Sequence, residues 1–431
     1  MKKIYTSIFC LCAAMGVNAQ SEFVLSPVEL NGAELSLYSE SLSENQVYVA
    51  GQDQNTSNPV IWNTVTGEVV MLQDEEMLYD YESDTPYIEA MTGTFHCVND
   101  NGLAVGEFGA PSAGSHAIVC DINNPKDYDI LYEEEGDAGS AAYAISEDGS
   151  TIVGFHFDSA WTTYGCVWTD GGKTRTELPW PTAAECGFDI DYASARGMSA
   201  DGSVIMGYVQ DYNYGSWVFV CWERQADGTY AVNASAADKY FEYDYQLGKP
   251  YMAFEPTGIS RNGEWVTLVV EEEYDPWDWG HTPAQRAARL NLKSNELEVL
   301  DGQGTVFGIA NNGTAVGRVM DANWSTAGIV WYAGEQEAKF VAELLDEEAL
   351  AGSVDSSVSS ITGDAKAVTG VCMTEDFLQY AYVAQIPGGQ TTGVKGIENV
   401  AADGVAYDMM GRRVLNTNGH ITIINGKKVL K

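Results

Sequence analysis

Aromatic and acidic residues gather in a few stretches of this chain, and those stretches speak most directly of chemistry. Trp161 and Tyr164 form one group, and Tyr212, Tyr214 and Trp217 a second. Tyr274, Trp277, Trp279 and His281 form a third, and Trp324 stands in a fourth. Further stretches mix the two types: Asp74-Glu75-Glu76, Tyr79-Asp80-Tyr81-Glu82 with Asp84, then Asp189, Asp191 and Tyr192, then Tyr240-Phe241-Glu242-Tyr243-Asp244-Tyr245. Flat rings stack on the apolar faces of sugars, and carboxylates accept hydrogen bonds from hydroxyls. The same mixture suits a peptide, and dense carboxylates supply oxygen ligands for Ca²⁺, the one cofactor these acids would admit. The expected ligand contacts are Trp161, Tyr214, Trp217, Tyr274, Trp277, Trp279, His281 and Trp324. The competing reading is that these rings only pack long loops together while keeping a polar handle in water.

Covalent or metal chemistry finds little support. Five histidines exist, His96, His116, His156, His281 and His420. They form neither a His-Glu-x-x-His pair nor any other metal spacing, and no Gly-x-Ser-x-Gly elbow or phosphate-binding glycine loop occurs. The expectation is therefore a binding or interaction protein with no catalytic residue. The alternative is a glycoside hydrolase or lyase with two axial carboxylates about 5–10 Å apart, Asp189 and Asp191 being one such pair.

The elements that must position these stretches are announced by a repeat. Ile145-Ser146-Glu147-Asp148-Gly149 leads through β-branched residues to Gly154, and Met198-Ser199-Ala200-Asp201-Gly202 leads likewise to Gly207. Looser copies begin at Leu42, Val98, Ile259, Ile309 and Ile361. The closing positions 51, 106, 154, 207, 268, 317 and 370 recur at roughly 50–60 residues, the period of four-stranded propeller blades. Asp-Gly and Asn-Gly supply the positive-φ residues of a tight turn. A third strand follows, often ending on tryptophan (Trp62, Trp168, Trp222, Trp331), where blade-to-blade packing is expected. The predicted fold is all-β, a seven-bladed propeller over 20–386. The seventh copy lacks a fourth strand, and residues 22–30 are expected to supply it and cover the exposed edge. In an up-and-down blade, loops between second and third strands share one end of the ring with the loops between blades, so the aromatic stretches should meet there.

The Ile-Ser-x-Asp-Gly…Gly…Trp pattern resembles the extracellular HAF-type repeat family over about residues 41–386, and the resemblance implies a β-propeller without naming an activity. The His-Ala-Phe signature itself is absent; His116-Ala117-Ile118 is its nearest echo. Ser146-Glu147-Asp148-Gly149-Ser150-Thr151 also resembles a sialidase Asp-box. It lacks the residue between Asp and Gly and the following aromatic, so it reads as a turn.

Residues 1–19 read as a secretory signal, with Lys2 and Lys3, an apolar Ile8–Ala14 and a Val17-Asn18-Ala19 cleavage site. After a Gly/Thr-rich linker at 387–395, residues 396–431 resemble the C-terminal sorting domain of the type IX secretion system of Bacteroidota. The resemblance rests on Tyr407-Asp408-Met409-Met410-Gly411-Arg412-Arg413-Val414 and Ile421-Thr422-Ile423-Ile424-Asn425-Gly426-Lys427-Lys428-Val429. It implies a small β-sandwich-like domain, type IX machinery as a partner, and a secreted or cell-surface destination where a glycan or protein is the ligand. The formal net charge of −40 excludes a nucleic-acid backbone as a natural partner. No apolar run after the signal approaches the ~20 residues of a membrane span. Six cysteines remain beyond the signal without a Cys-x-x-Cys, and five lie in or beside predicted strands, where cysteine packs as a small apolar residue.

Overall fold

The structure, a computed structural model, describes residues 23–26, 35–36, 40–80, 85–124, 128–186, 189–211, 216–233, 251–272, 285–320, 325–345, 350, 353–375 and 378–387. In the tail it describes the strands at 406–407, 413–414, 421–424 and 427–430. The chain divides into two compact units, Met1–Gln390 and Thr391–Lys431. In the second, the short strands Ala406–Tyr407, Arg413–Val414, Ile421–Ile424 and Lys427–Leu430 make one four-stranded sheet.

The first unit is all-β apart from two short helices, Ala183–Cys186 and Val341–Leu345. It is built from four-stranded antiparallel meanders in chain order. The first meander holds Leu35–Ser36, Tyr48–Asp53, Asn58–Asn63 and Val69–Met71; the second holds Thr92–Val98, Leu103–Gly109, His116–Asp121 and Asp129–Ile130. The third runs Asp137–Ile145, Ile152–Asp158, Thr163–Thr169, Thr174–Glu177, and the fourth Tyr192–Met198, Val204–Asp211, Ser216–Arg224, Tyr230–Val232. A single parallel pairing, Thr163 with Tyr192, joins these two. The fifth runs Tyr251–Ile259, Trp265–Glu272, Gln285–Asn291, Glu296–Val299, and the sixth Gly304–Ile309, Ala315–Met320, Thr326–Trp331, Lys339–Phe340. The seventh has Asp355–Ile361, Ala367–Met373 and Gln379–Gln385. Its outer edge is covered by Phe23–Leu25, antiparallel, with Phe23 opposite Ala384 and Leu25 opposite Tyr382.

The repeat owes its residues to a hydrogen-bonded turn. Ser146 Oγ donates to Asp148 Oδ1 at 2.7 Å and accepts from Thr151 N at 3.0 Å, while Asp148 Oδ1 also accepts from Ser150 N at 2.9 Å. Ser199, Asp201, Ser203 and Val204 repeat the set with matching distances. Gly149 sits at φ +73° and Gly202 at +66°, where a side chain is disfavoured; Gln46 and Ala365 hold that conformation in the first and seventh copies. The serine and aspartate thus satisfy the turn's own backbone.

A second rule lies in the first strands. In the second to fourth meanders a bulge falls at His96, Tyr143 and Arg196, and in the last three at Thr257, Phe307 and Ser359. Each stands three residues before the turn's serine position. Opposite the bulge sits the closing glycine. A Cβ at Gly154 or Gly207 would overlap the carbonyl oxygen of Ala141 or Ser194, which explains why the pattern ends on glycine. The fifth meander has Leu268 there. It pairs with Pro256, and the register breaks on both sides of that pair.

The strand tryptophans seal neighbouring meanders. Trp168 lies in a cluster with Cys97, Val105 and Ala117 of the preceding meander, Trp222 with Val153 and Val167, and Trp331 with Ala287 and Leu300. Trp62 packs against Ala367, Ala381 and Val383 of the seventh. All four are essentially inaccessible to water. The six cysteines are free thiols; five are buried, with Cys186 half-buried. Burial pushes up the thiols of Cys97, Cys120, Cys166, Cys221 and Cys372 and leaves them inert.

One expected connection is a different element. Residues 74–90, read as an inter-blade loop, form a hairpin of Glu75–Asp80 and Thr85–Ala90, with Met77 opposite Ile88. Among the described residues no helix is long and apolar enough to cross a membrane.

Candidate functional site

Every meander runs its first strand into the Asp-Gly turn, so the molecule has a turn end and an opposite loop end. The turn end is closed. Gly363 N donates to both carboxylate oxygens of Glu44 at 2.9 and 2.8 Å, and Asn45 N donates to Asp100 Oδ1 at 2.7 Å. Asp100 N donates to Glu147 Oε1 at 3.1 Å, Glu147 N to Ala200 O at 2.9 Å, and Ala200 N to Arg261 O at 2.8 Å. Asn262 N reaches Asn311 Oδ1 at 2.8 Å, and Asn311 N returns to Gly363 O at 3.0 Å. The circle passes through the variable position of every copy of the repeat.

Two side chains span the middle of that circle. Arg261 extends from the fifth meander, its Nε 3.4 Å from Glu44 Oε1 of the first and its guanidinium paired with Glu147 of the third. Glu40, from the segment before the first turn, accepts from Met198 N of the fourth meander at 3.2 Å and from Cys97 Sγ of the second at 3.5 Å. Glu40 is only 8 % exposed. Burial pushes its carboxyl up to about 7, against the pull of Arg261 and the Met198 N–H.

Glu40 also stands three residues before its serine, so it completes a ring with the six bulge residues. A bulge re-aims its side chain, and the ring residues touch one another. His96 stacks on Tyr143 with centroids 4.3 Å apart, and the Arg196 guanidinium lies 4.3 Å over the same Tyr143 ring. Arg196 also donates to Tyr208 Oη at 2.6 Å, and Tyr208 stacks on Tyr192 at 5.6 Å. Burial holds the His96 imidazole below its usual range, so it is neutral at pH 7. Thr257 Oγ1 donates to Val306 O at 2.5 Å.

On the other side of the axis the lining opens. A cavity of about 210 Å³ lies at the loop end between the sixth, seventh and first meanders. Asp355, Ser356, Ser357 and Ser359 form one wall, Phe307, Val371 and Met373 an apolar one, and Arg318, Gln54, Thr326 and Gln379 the remainder. Asp355 accepts from the Thr326 hydroxyl, and its burial raises its carboxyl against the lowering effect of Arg318. Arg318 lies 5.6 Å over the Phe307 ring. Ser357 and Ser359 are 8 % and 5 % exposed, and both line this cavity.

Of the residues expected from sequence, Trp161 stands at this end. It is 77 % exposed at φ +68° and stacks on Phe157 at 5.3 Å and 9°. Trp217 lies in strand Ser216–Arg224 opposite Gln210, and its side chain falls outside the described residues. Tyr214, Tyr274, Trp277, Trp279, His281 and Trp324 also lie outside them. Tyr164 turns the other way and stacks between His156 and Trp180. Asp189 is exposed, and Asp191 N bonds to Gln210 O at 3.2 Å. No group of three or more His, Cys, Asp or Glu arranged to hold a metal occurs among the described residues. The axial ring was invisible to pattern reading because its members share no residue type. The constant offset of three from the turn serine is the signal that finds it.

No family model matches the sequence, and no curated protein does. Solved structures resemble it. A prolyl endopeptidase is 9 % identical with a TM-score of 0.50, over 83 % of this chain and 49 % of its own, so the present chain spans about half of it. The β-propeller domain of the Trilobed protease from Pyrococcus furiosus is 13 % identical over 83 % of this chain and 94 % of its own, TM-score 0.46. An oligogalacturonate lyase solved with manganese is 11 % identical over 73 % and 97 %, TM-score 0.36. At these identities the likeness concerns the fold alone: the chain is an all-β protein of β-propeller type. The expectation of a protein without catalysis is corrected by the same finding. A prolyl endopeptidase shares this fold, so the fold does not exclude an enzyme, and it assigns no reaction.

Proposed function

We propose that this chain is an exported seven-bladed β-propeller that binds a glycan at the loop end of its axis. The observation that carries the reading is the lining of the axial cavity. Hydroxyls, two amides, one guanidinium and one carboxylate face an apolar wall of Phe307, Val371 and Met373, which matches a sugar's polar rim and apolar face. Trp161 adds an exposed flat ring at the same end, where a second sugar residue can stack. The signal-like residues 1–19 and the sorting-type tail at 396–431 support delivery to the cell surface through type IX machinery.

The purified chain is tested on an array of host and plant glycans, with Ca²⁺ and again with EDTA. Saturable binding that Trp161→Ala weakens at least fivefold supports the reading, and loss with EDTA adds a metal. A blank array in both conditions overturns it. A protein ligand is the second reading, favoured by the hairpin at 75–90, whose Met77, Tyr79 and Ile88 stand exposed along one face.

A further inference from the structure

The axis is open at one end only. At the turn end Arg261 crosses from the fifth meander to Glu44 and Glu147, and one level above it Glu40 crosses from the first meander to Met198 of the fourth. A polymer cannot thread through this ring. Whatever enters from the loop end enters by its tip and stops at the level of Glu40 and the bulge residues.

The place where a tip would stop is built. Ser357 and Ser359 are more than nine-tenths buried as residues, and they line the cavity. Each hydroxyl can donate once and accept twice. A ligand hydroxyl that takes the place of water on them exchanges one hydrogen bond for another in a site already shaped for it. Both serines come from one strand, and both line the cavity. Ser359 holds the bulge position and Ser357 the position opposite Val371. The two charged lining groups, Arg318 and Asp355, have opposite signs, and each lowers the other's demand for a counter-ion. A neutral, hydroxyl-rich occupant fits this lining better than an anion or a cation. The volume of about 210 Å³ accommodates one sugar residue and excludes a chain folded back on itself.

We propose that the axial cavity is a blind subsite for the terminal residue of the bound glycan, a neutral hexose or N-acetylhexosamine held by the hydroxyls of Ser357 and Ser359. The inference rests on the glycan reading above. It adds that recognition is of a chain end, with one blind subsite per propeller.

The test is calorimetric titration of the full chain with the methyl glycosides of glucose, galactose, mannose and N-acetylglucosamine. The best binder is followed by its linear hexasaccharide, and by the same hexasaccharide capped at both ends, as an aryl glycoside and a 4,6-O-benzylidene acetal. Monosaccharide binding at one per chain, a hexasaccharide affinity within about tenfold of it, and at least tenfold loss on capping support the proposal. Ser357→Ala and Ser359→Ala should each weaken monosaccharide binding about tenfold. Equal binding of capped and uncapped chains, or undiminished affinity in both serine variants while Trp161→Ala abolishes polysaccharide binding, overturns the subsite and leaves the glycan-binding face standing. Failure of every sugar overturns both. Binding of free alanine or serine in place of sugars overturns the ligand class, because a zwitterion would then be using Arg318 and Asp355.

Discussion

The two ends of the axis are made from the same seven strands and turns, yet they are finished differently. At the turn end the variable residues of all the copies are joined in a circle of hydrogen bonds, and the centre is filled by Arg261 and Glu40. At the loop end serine hydroxyls line a cavity. One end is knit together by its polar groups, and the other turns several of them toward open space.

The largest effect expected from breaking this contrast is at the crossbar. Arg261→Ala leaves Glu44, Glu147 and the nearby Glu40 without their cation and should cost about 3 kcal/mol in urea unfolding at pH 7. A loss below about 0.5 kcal/mol, typical of a surface change, would mean that the turn end does not depend on it. Glu40→Gln tests the layer above and has a defined sign. Burial raises the folded-state carboxyl from 4.5 to about 7, so ionisation penalises the fold. The penalty is absent below pH 4.5, grows as pH rises to about 7, and stays constant above. The amide variant should gain relative to the parent across that window, reaching about 3 kcal/mol at pH 8 and nothing at pH 4. A stability difference that does not change between pH 4 and pH 8 would contradict it.

The bulge ring can be probed through its glycine. Gly207→Ala forces a methyl against the Ser194 carbonyl and should destabilise by roughly 2 kcal/mol, read as a shift of the denaturant midpoint at constant m. The smallest effect belongs to the loop end. Ser357→Ala and Ser359→Ala remove hydroxyls that line the cavity, so stability should stay within about 0.5 kcal/mol or rise slightly. A loss of 2 kcal/mol in either would show that the hydroxyl serves the fold, and the difference between the two ends would vanish.

Much of the scaffold is written in the chain, because a turn serine and aspartate that bond their own backbone leave a fixed signature in every copy. The four strand tryptophans are legible for the same reason, since each repeat needs the same plug against its neighbour. The axial site is not legible in that way. Glu40, His96, Tyr143, Arg196, Thr257, Phe307 and Ser359 occupy equivalent places with seven different side chains. A repeat position varies when the fold makes no demand on it, and pattern reading discards variation as noise. Loop aromatics draw attention by type instead. Among those, Trp161 is exposed at the loop end, while Tyr164 is packed between His156 and Trp180 although it stands only three residues away. Residue type did not separate the two, because facing is set by strand register.

The strand Phe23–Leu25 lies against Gln379–Gln385, so the last seam of the ring joins segments separated by the whole propeller. Closing such a loop is slow, though its entropy rises only logarithmically with length. That seam is the clasp of the necklace: its release would bare the edge of Gln379–Gln385 to any passing strand. The cavity lies across the clasp, drawing Gln54 from the first meander and Ser357 and Ser359 from the seventh. A sugar seated there as proposed would act as a rivet. It would tie the first meander to the last, raise the melting temperature with ligand concentration, and make the molecule hardest to open where its target is abundant.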